Sequence, residues 1–143
     1  PLAPFGTEKL REYLEVDEGL IPTDVTAVEG TDFDFRKPFV LGARRNGDYD
    51  NCFVLKEGAV VRVENDEYAL EMKTSLPSVQ FYTSGHLNRK EKGKGGMDLV
   101  PYTGFCLESE YYPDFPNRPE FPGFYVDKER VYESWTEYRL IKK

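Results

Sequence analysis

Histidine is almost missing from this chain, with His86 standing alone among 143 residues. Cysteine is nearly as scarce, at Cys52 and Cys106. Neither thiol has metal-ligand spacing, so no metal site is expected. The pair reads as buried free thiols in a reducing compartment, with a single disulfide left open. A surplus of positive charge is absent too. The net charge of −7 removes the basic surface that nucleic-acid binding needs. The one basic run, Arg89-Lys90-Glu91-Lys92-Gly93-Lys94-Gly95-Gly96, reads as a flexible solvated loop and lacks the spacing of a phosphate-binding loop. No apolar run approaches the roughly eighteen residues that cross a bilayer. No positively charged start followed by an apolar segment is visible, so neither a signal peptide nor a membrane partner is expected, and the reading is cytoplasmic. The chain opens Pro1-Leu2-Ala3 without an initiator Met, as a processed chain or a piece of something larger would.

Aromatic residues are what the chain has in plenty: 10 Tyr, 10 Phe and 1 Trp. Large rings fill a β core, or line a cleft where they stack on pyranose faces; the core is the favoured reading. The length fits one domain over residues 1–143 with a workable core. Thr7 to Leu14 reads as a short helix or the start of a strand continuing to Val16, and Asp17-Glu18-Gly19 as a turn. Leu20 to Val28 reads as extended, with Pro22 excluding a helix interior. Glu29-Gly30-Thr31 is a turn, and Asp32 to Arg36 alternates with period two as a strand that Pro38 ends. A turn-rich stretch with paired carboxylates, Asn46 to Asn51, leads into the strand Cys52 to Leu55. Ala59 to Glu64 and Tyr68 to Thr74 read as a hairpin turning at Asn65-Asp66-Glu67. Val79 to Thr83 follows, then the Phe105 to Glu110 strand, a Pro-rich excursion from Pro113 to Pro122, and a last strand from Val131 to Ile141. Many short strands without a convincing long helix predict an all-β antiparallel sandwich.

The strand Gly104-Phe105-Cys106-Leu107-Glu108-Ser109-Glu110 carries the chemistry of most interest. Alternation puts Phe105 and Leu107 on one face and Cys106 and Glu108 on the other. A mid-strand carboxylate among aromatics is a candidate general base, because partial desolvation raises its pKa. The alternative is an ordinary Glu on the wet side of a sheet.

Several stretches together resemble the aldose 1-epimerase (galactose mutarotase) family. They are Leu20-Ile21-Pro22-Thr23 with Glu29-Gly30-Thr31 and Phe33-Asp34-Phe35-Arg36; Tyr49-Asp50-Asn51-Cys52-Phe53-Val54-Leu55; Leu76-Pro77-Ser78-Val79-Gln80-Phe81-Tyr82-Thr83; and Phe105 to Glu110 with Pro113-Asp114 and Asn117. Four pieces in the correct order and spacing make a specific signal over residues 10 to 141. The resemblance implies part of a β-supersandwich and ring-opening acid–base chemistry on a free hexose such as galactose or glucose. That chemistry needs no metal or redox cofactor. Glu108 matches the family's catalytic base, Asp50 a carboxylate that takes sugar hydroxyls, and Gln80 an amide lining the same site. Asp suits neighbouring hydroxyls as an acceptor, and Gln both donates and accepts. Outside the resemblance, Asp50 would read as a turn residue and Gln80 as an exposed strand residue.

The departures carry expectations of their own. Family members run to more than twice this length, and the chain resembles their C-terminal part. Their N-terminal half supplies the acid histidine, a second histidine and an arginine, which have no counterpart here. His86 aligns where the family has an aromatic, so the acid role is not transferred and a loop or core histidine is expected. Asp50-Asn51 stands for the family's Asp-His, and Cys106-Leu107-Glu108-Ser109-Glu110 for its CLETQ. The competing expectation is a non-catalytic sugar-binding or regulatory domain; a structural β-domain without ligand is a third, weaker one. Half a sandwich leaves edges uncovered, so a second chain or self-association is expected to complete it.

Overall fold

The computed structural model describes residues 9–87 and 90–143. Thr7 and Glu8 of the ambiguous first segment, and Arg89 of the basic run, lie outside them. Among these residues eight antiparallel strands form two sheets. They are β1 Glu12–Val16, β2 Pro22–Ala27, β3 Asp50–Val54, β4 Val61–Glu64, β5 Tyr68–Thr74, β6 Ser78–Tyr82, β7 Cys106–Glu110 and β8 Thr136–Lys142. The larger sheet runs β2-β1-β3-β6-β7 and the smaller β4-β5-β8. Among the described residues helical structure is limited to 3-10 turns of three residues.

Alternation sends one side of β1, β3, β4, β5, β6 and β7 into a shared core. Tyr13, Phe53, Val79, Phe81 and Leu107 from the larger sheet meet Val61, Val63 and Met72 from the smaller. Tyr49 and Phe35 fill the middle, both fully buried. Phe35 touches the rings of Phe39, Tyr49, Phe53 and Phe81 at centroid distances of 5.0, 5.1, 5.3 and 6.0 Å. Removing such a ring costs about 3–5 kcal/mol. The sheets are also linked at β7 and β8: Tyr138 Oη donates to the Leu107 carbonyl at 2.7 Å, and the Ser109 and Thr136 hydroxyls lie 2.6 Å apart.

The hairpin forms as its sequence predicts. Asn65 Oδ1 accepts from the backbone of Glu67 and Tyr68, and Glu64 pairs with Ala69. Of the first segment, the part from Glu12 on is a strand, not a helix; Leu14 pairs with Val25. Asp32–Arg36, expected as a strand, is a folded loop instead. The Thr31 hydroxyl accepts from Phe33 N–H, the Phe33 carbonyl from Phe35 N–H, and Asp34 from both the backbone and the guanidinium of Arg36. These local bonds leave no ladder to build, although both Phe33 and Phe35 still reach the core. The last strand starts at Thr136 rather than Val131, because its partner β5 ends at Thr74, which pairs with Thr136. The basic run, expected to be a flexible loop, is closed by a bridge between Lys92 and Asp98, whose side chains also pair.

The outer side of the larger sheet is covered at one end only. The Pro-rich segment folds back so that Tyr112 and Phe121 pack on Leu14, Cys52 and Val54. Arg118 holds it there, donating to the Pro22 and Thr23 carbonyls at 2.6 and 3.0 Å. The rest of that face stays open.

Candidate functional site

Strand register decides which side chains share the open face. Asp50 pairs with Tyr82 and Tyr82 with Cys106; one rung on, Cys52 pairs with Gln80 and Gln80 with Glu108; the next rung is Val54, Ser78 and Glu110. Directly paired side chains stand roughly 5 Å apart at Cβ. Positions 50, 80 and 108, remote in sequence, therefore converge on one surface. Gln80 Nε2 donates to Asp50 Oδ1 at 2.7 Å. The Cys106 thiol is pushed up by burial and by the Glu108 and Asp50 carboxylates, which places both charges beside it.

Beside this surface lies a cleft of about 440 Å³ that Asp50, Gln80, Glu110, Arg45, Asp48 and His86 help to line. That volume falls within the range of small-molecule sites. Apolar Leu14, Val16 and Leu20 also line it. Arg45 lies over the Phe33 ring at 4.9 Å, with its Nε donating to the Asp48 carbonyl at 3.0 Å.

Glu108 is exposed on β7, an edge strand of the larger sheet. The desolvation expected for it falls two residues further on. Glu110 sits where the Pro-rich segment covers the sheet, and its Oε1 is buried without a hydrogen-bond partner. Burial pushes its carboxyl up, opposed by a hydrogen bond with Cys52 and reinforced by the Glu108 charge. Burial likewise raises the Cys52 thiol to about 12. Both cysteines are free.

His86 is an exposed loop residue, as expected, but its loop is tightly fixed at the cleft. Thr83 bonds to Gly47 and Tyr49, with its hydroxyl donating to the Gly47 carbonyl at 2.6 Å and accepting from Tyr49 N–H at 2.8 Å. Ser84 is buried in a left-handed conformation, φ 58°, and its hydroxyl donates to the Gly104 carbonyl. Gly85 packs against Asp48 so closely that a Cβ there would lie 1.9 Å from Oδ1. Sequence reading weighed His86 and set it aside as a loop or core histidine, and it gave Glu110 no role because nothing local marks the last residue of an alternating run.

This arrangement can hold a polyhydroxylated ligand by its acceptors and withdraw a proton from it. The aldose 1-epimerase family model matches residues 8–139, and the chain belongs to that family. It is 41% identical over 139 residues to a galactose mutarotase of Rattus norvegicus, covering 90% of this chain and 41% of that protein. It is 35% identical over 148 residues to an aldose 1-epimerase of Escherichia coli (strain K12), covering 91% and 42%. In structure it matches a GalM/aldose epimerase homologue from C. elegans with a TM-score of 0.82 and 25% identity, over 98% of this chain and 46% of that one. The chain thus spans less than half the length of these relatives.

Proposed function

We propose that this chain carries the base and the sugar-holding surface of a mutarotase, which interconverts the α and β anomers of a free hexose such as galactose or glucose. Glu108 takes the proton of the anomeric hydroxyl as an acid protonates the ring oxygen. The C1–O5 bond opens to the aldehyde, C1 rotates, and closure on the other face returns the second anomer. Asp50 and Gln80 hold the sugar hydroxyls. The observation that supports this reading most is the convergence of Asp50, Gln80 and Glu108 on one open face through the β3–β6–β7 register. No metal or redox group enters these steps. Residues 1–143 form one β unit corresponding to the C-terminal half of a β-supersandwich, which a further segment, a second chain or self-association completes. The free thiols of Cys52 and Cys106 support a reducing, cytoplasmic setting.

A second reading is a non-catalytic carbohydrate-binding or regulatory domain derived from the same fold. It is favoured by the exposure of Glu108 on an edge strand. Polarimetry of α-D-galactose with the chain and with Glu108→Gln separates the two. Acceleration that the substitution abolishes supports the enzyme; sugar binding without acceleration supports the binding domain.

A further inference from the structure

Positive charge is in deficit on this chain, yet four cations meet around one hollow. Arg11, Arg36, Lys37 and Arg44 line a depression of about 540 Å³, with Asp34 as the one carboxylate lining it among the described residues. Three separate stretches supply them: the residue before β1, the folded loop after Thr31 and the turn before Arg45. Like charges repel unless something offsets them. Asp34 offsets Arg36, accepting from its Nε at 2.8 Å and its Nη2 at 2.7 Å, and exposed Glu29 accepts from Nη2 at 3.3 Å. Among the described residues Arg11, Lys37 and Arg44 form no ion pair. Arg44 is nonetheless fixed, lying over the Phe39 ring at 3.9 Å and donating from Nη1 to the Asp34 carbonyl at 3.1 Å. Both guanidinium groups are therefore anchored on Asp34. Nη1 of Arg36 and Nη2 of Arg44 stay outside those anchoring bonds, and Arg11 and Lys37 are exposed beside them. A compact dianion suits such a hollow, because its several oxygens accept from more than one fixed guanidinium fork at once. The acidic remainder of the surface repels anions and so focuses their attraction here.

We propose that this hollow is a binding site for a phosphate ester, in which Arg36 and Arg44 grip the phosphate oxygens while Arg11 and Lys37 supply charge at the rim. Its volume falls within the range of small-molecule sites and leaves room for the group that bears the phosphate. The site is separate from the Asp50 cleft, whose lining includes Arg45 but none of these four cations. It stands whether or not the chain is a mutarotase.

The test titrates the full chain with inorganic phosphate, methyl phosphate and acetate at low ionic strength, where charge attraction is least screened, and follows backbone amides by NMR. Phosphate and methyl phosphate are expected to shift and saturate the amides of Asp34, Arg36, Lys37 and Arg44, and singly charged acetate to bind more weakly than either. Arg44→Gln is expected to weaken both phosphates at least about tenfold, as loss of a charge-assisted hydrogen bond does. Lys37→Gln, an exposed charge, is expected to cost about threefold. Arg11→Gln gives a similar reading without touching the Phe39 contact. Lys94→Gln removes one charge outside the hollow and is expected to leave the affinities unchanged. Weakening by Lys94→Gln equal to that by Arg44→Gln overturns the site, because overall charge then accounts for the binding. Amides around the hollow that stay unmoved at about 50 mM phosphate overturn it as well. Binding of phosphate but not of methyl phosphate overturns the ester and leaves the free anion as the occupant.

Discussion

Gln80 spends its side-chain amide on Asp50, 2.7 Å from Nε2 to Oδ1, although thirty positions separate them. Asp50 is exposed and Gln80 half-buried on the open sheet face, where the pair contributes little to folding. Its value is orientation: the amide holds one carboxylate oxygen and leaves the other for a ligand. A hydrogen bond to a charged group is worth about 1.5–3 kcal/mol. Asp50→Ala is expected to weaken galactose binding roughly 10- to 100-fold, and Gln80→Leu by somewhat less, with melting temperatures nearly unchanged. NMR titration measures this; wild-type affinity in both variants would remove these residues from the site.

Cys106 reports on the same surface through its thiol. Glu108 and Asp50 both disfavour its thiolate, so removing either charge lowers the thiol pKa and raises the reactive fraction. Labelling by iodoacetamide at pH 8 is expected to be faster in Glu108→Gln and Asp50→Asn than in the unaltered chain. Cys52, buried and raised to about 12, is expected to stay unlabelled until unfolding. Mass spectrometry of the labelled peptides assigns each site, and equal rates in all three proteins would contradict the geometry.

Glu110 links stability to pH. Its folded pKa lies above the ordinary carboxyl value, so between the two the folded chain holds a proton that the unfolded chain releases. Stability therefore falls as pH rises from the ordinary carboxyl range through the raised value. Glu110→Gln replaces the carboxyl with a neutral group of similar shape. It is expected to melt higher than the unaltered chain at pH 8, with the gap closing toward pH 4. A gap that widens on acidification would refute the assignment.

The smaller sheet ends in an uncovered edge. Among the described residues β8 pairs only with β5, and Tyr138 and Leu140 on it are 52% and 70% exposed, with Trp135 just before it at 57%. Unpaired backbone and exposed rings side by side favour association. Light scattering is expected to show species larger than a monomer, and Leu140→Lys to shift them toward one. A monodisperse monomer with a cooperative melt would show that the edge needs no cover.

Much of this architecture was legible residue by residue. Period-two alternation marked β7, short runs between turn signals marked β3, β5 and β6, and Asn65 with its neighbours marked the hairpin, because side-chain direction on a strand and turn chemistry are local properties. The same locality misled at Asp32–Arg36, where alternating Phe and Asp suit a strand but the short side chains of Thr31 and Asp34 capture the backbone first. Glu108 was singled out by its place in an alternating strand among aromatics, whereas Asp50 and Gln80 were proposed through resemblance and not through any property of their own segments.

By itself, then, the sequence determined the all-β class, most strands and the family. Tertiary structure alone decided what faces what. Register across β3, β6 and β7 gathered residues from three distant segments onto one surface, and the covering Pro-rich segment buried Glu110 while leaving Glu108 wet. The bolted loop after β6 brought His86 to the cleft. Each of these depends on contacts between positions far apart in the chain, which no window of neighbouring residues encodes.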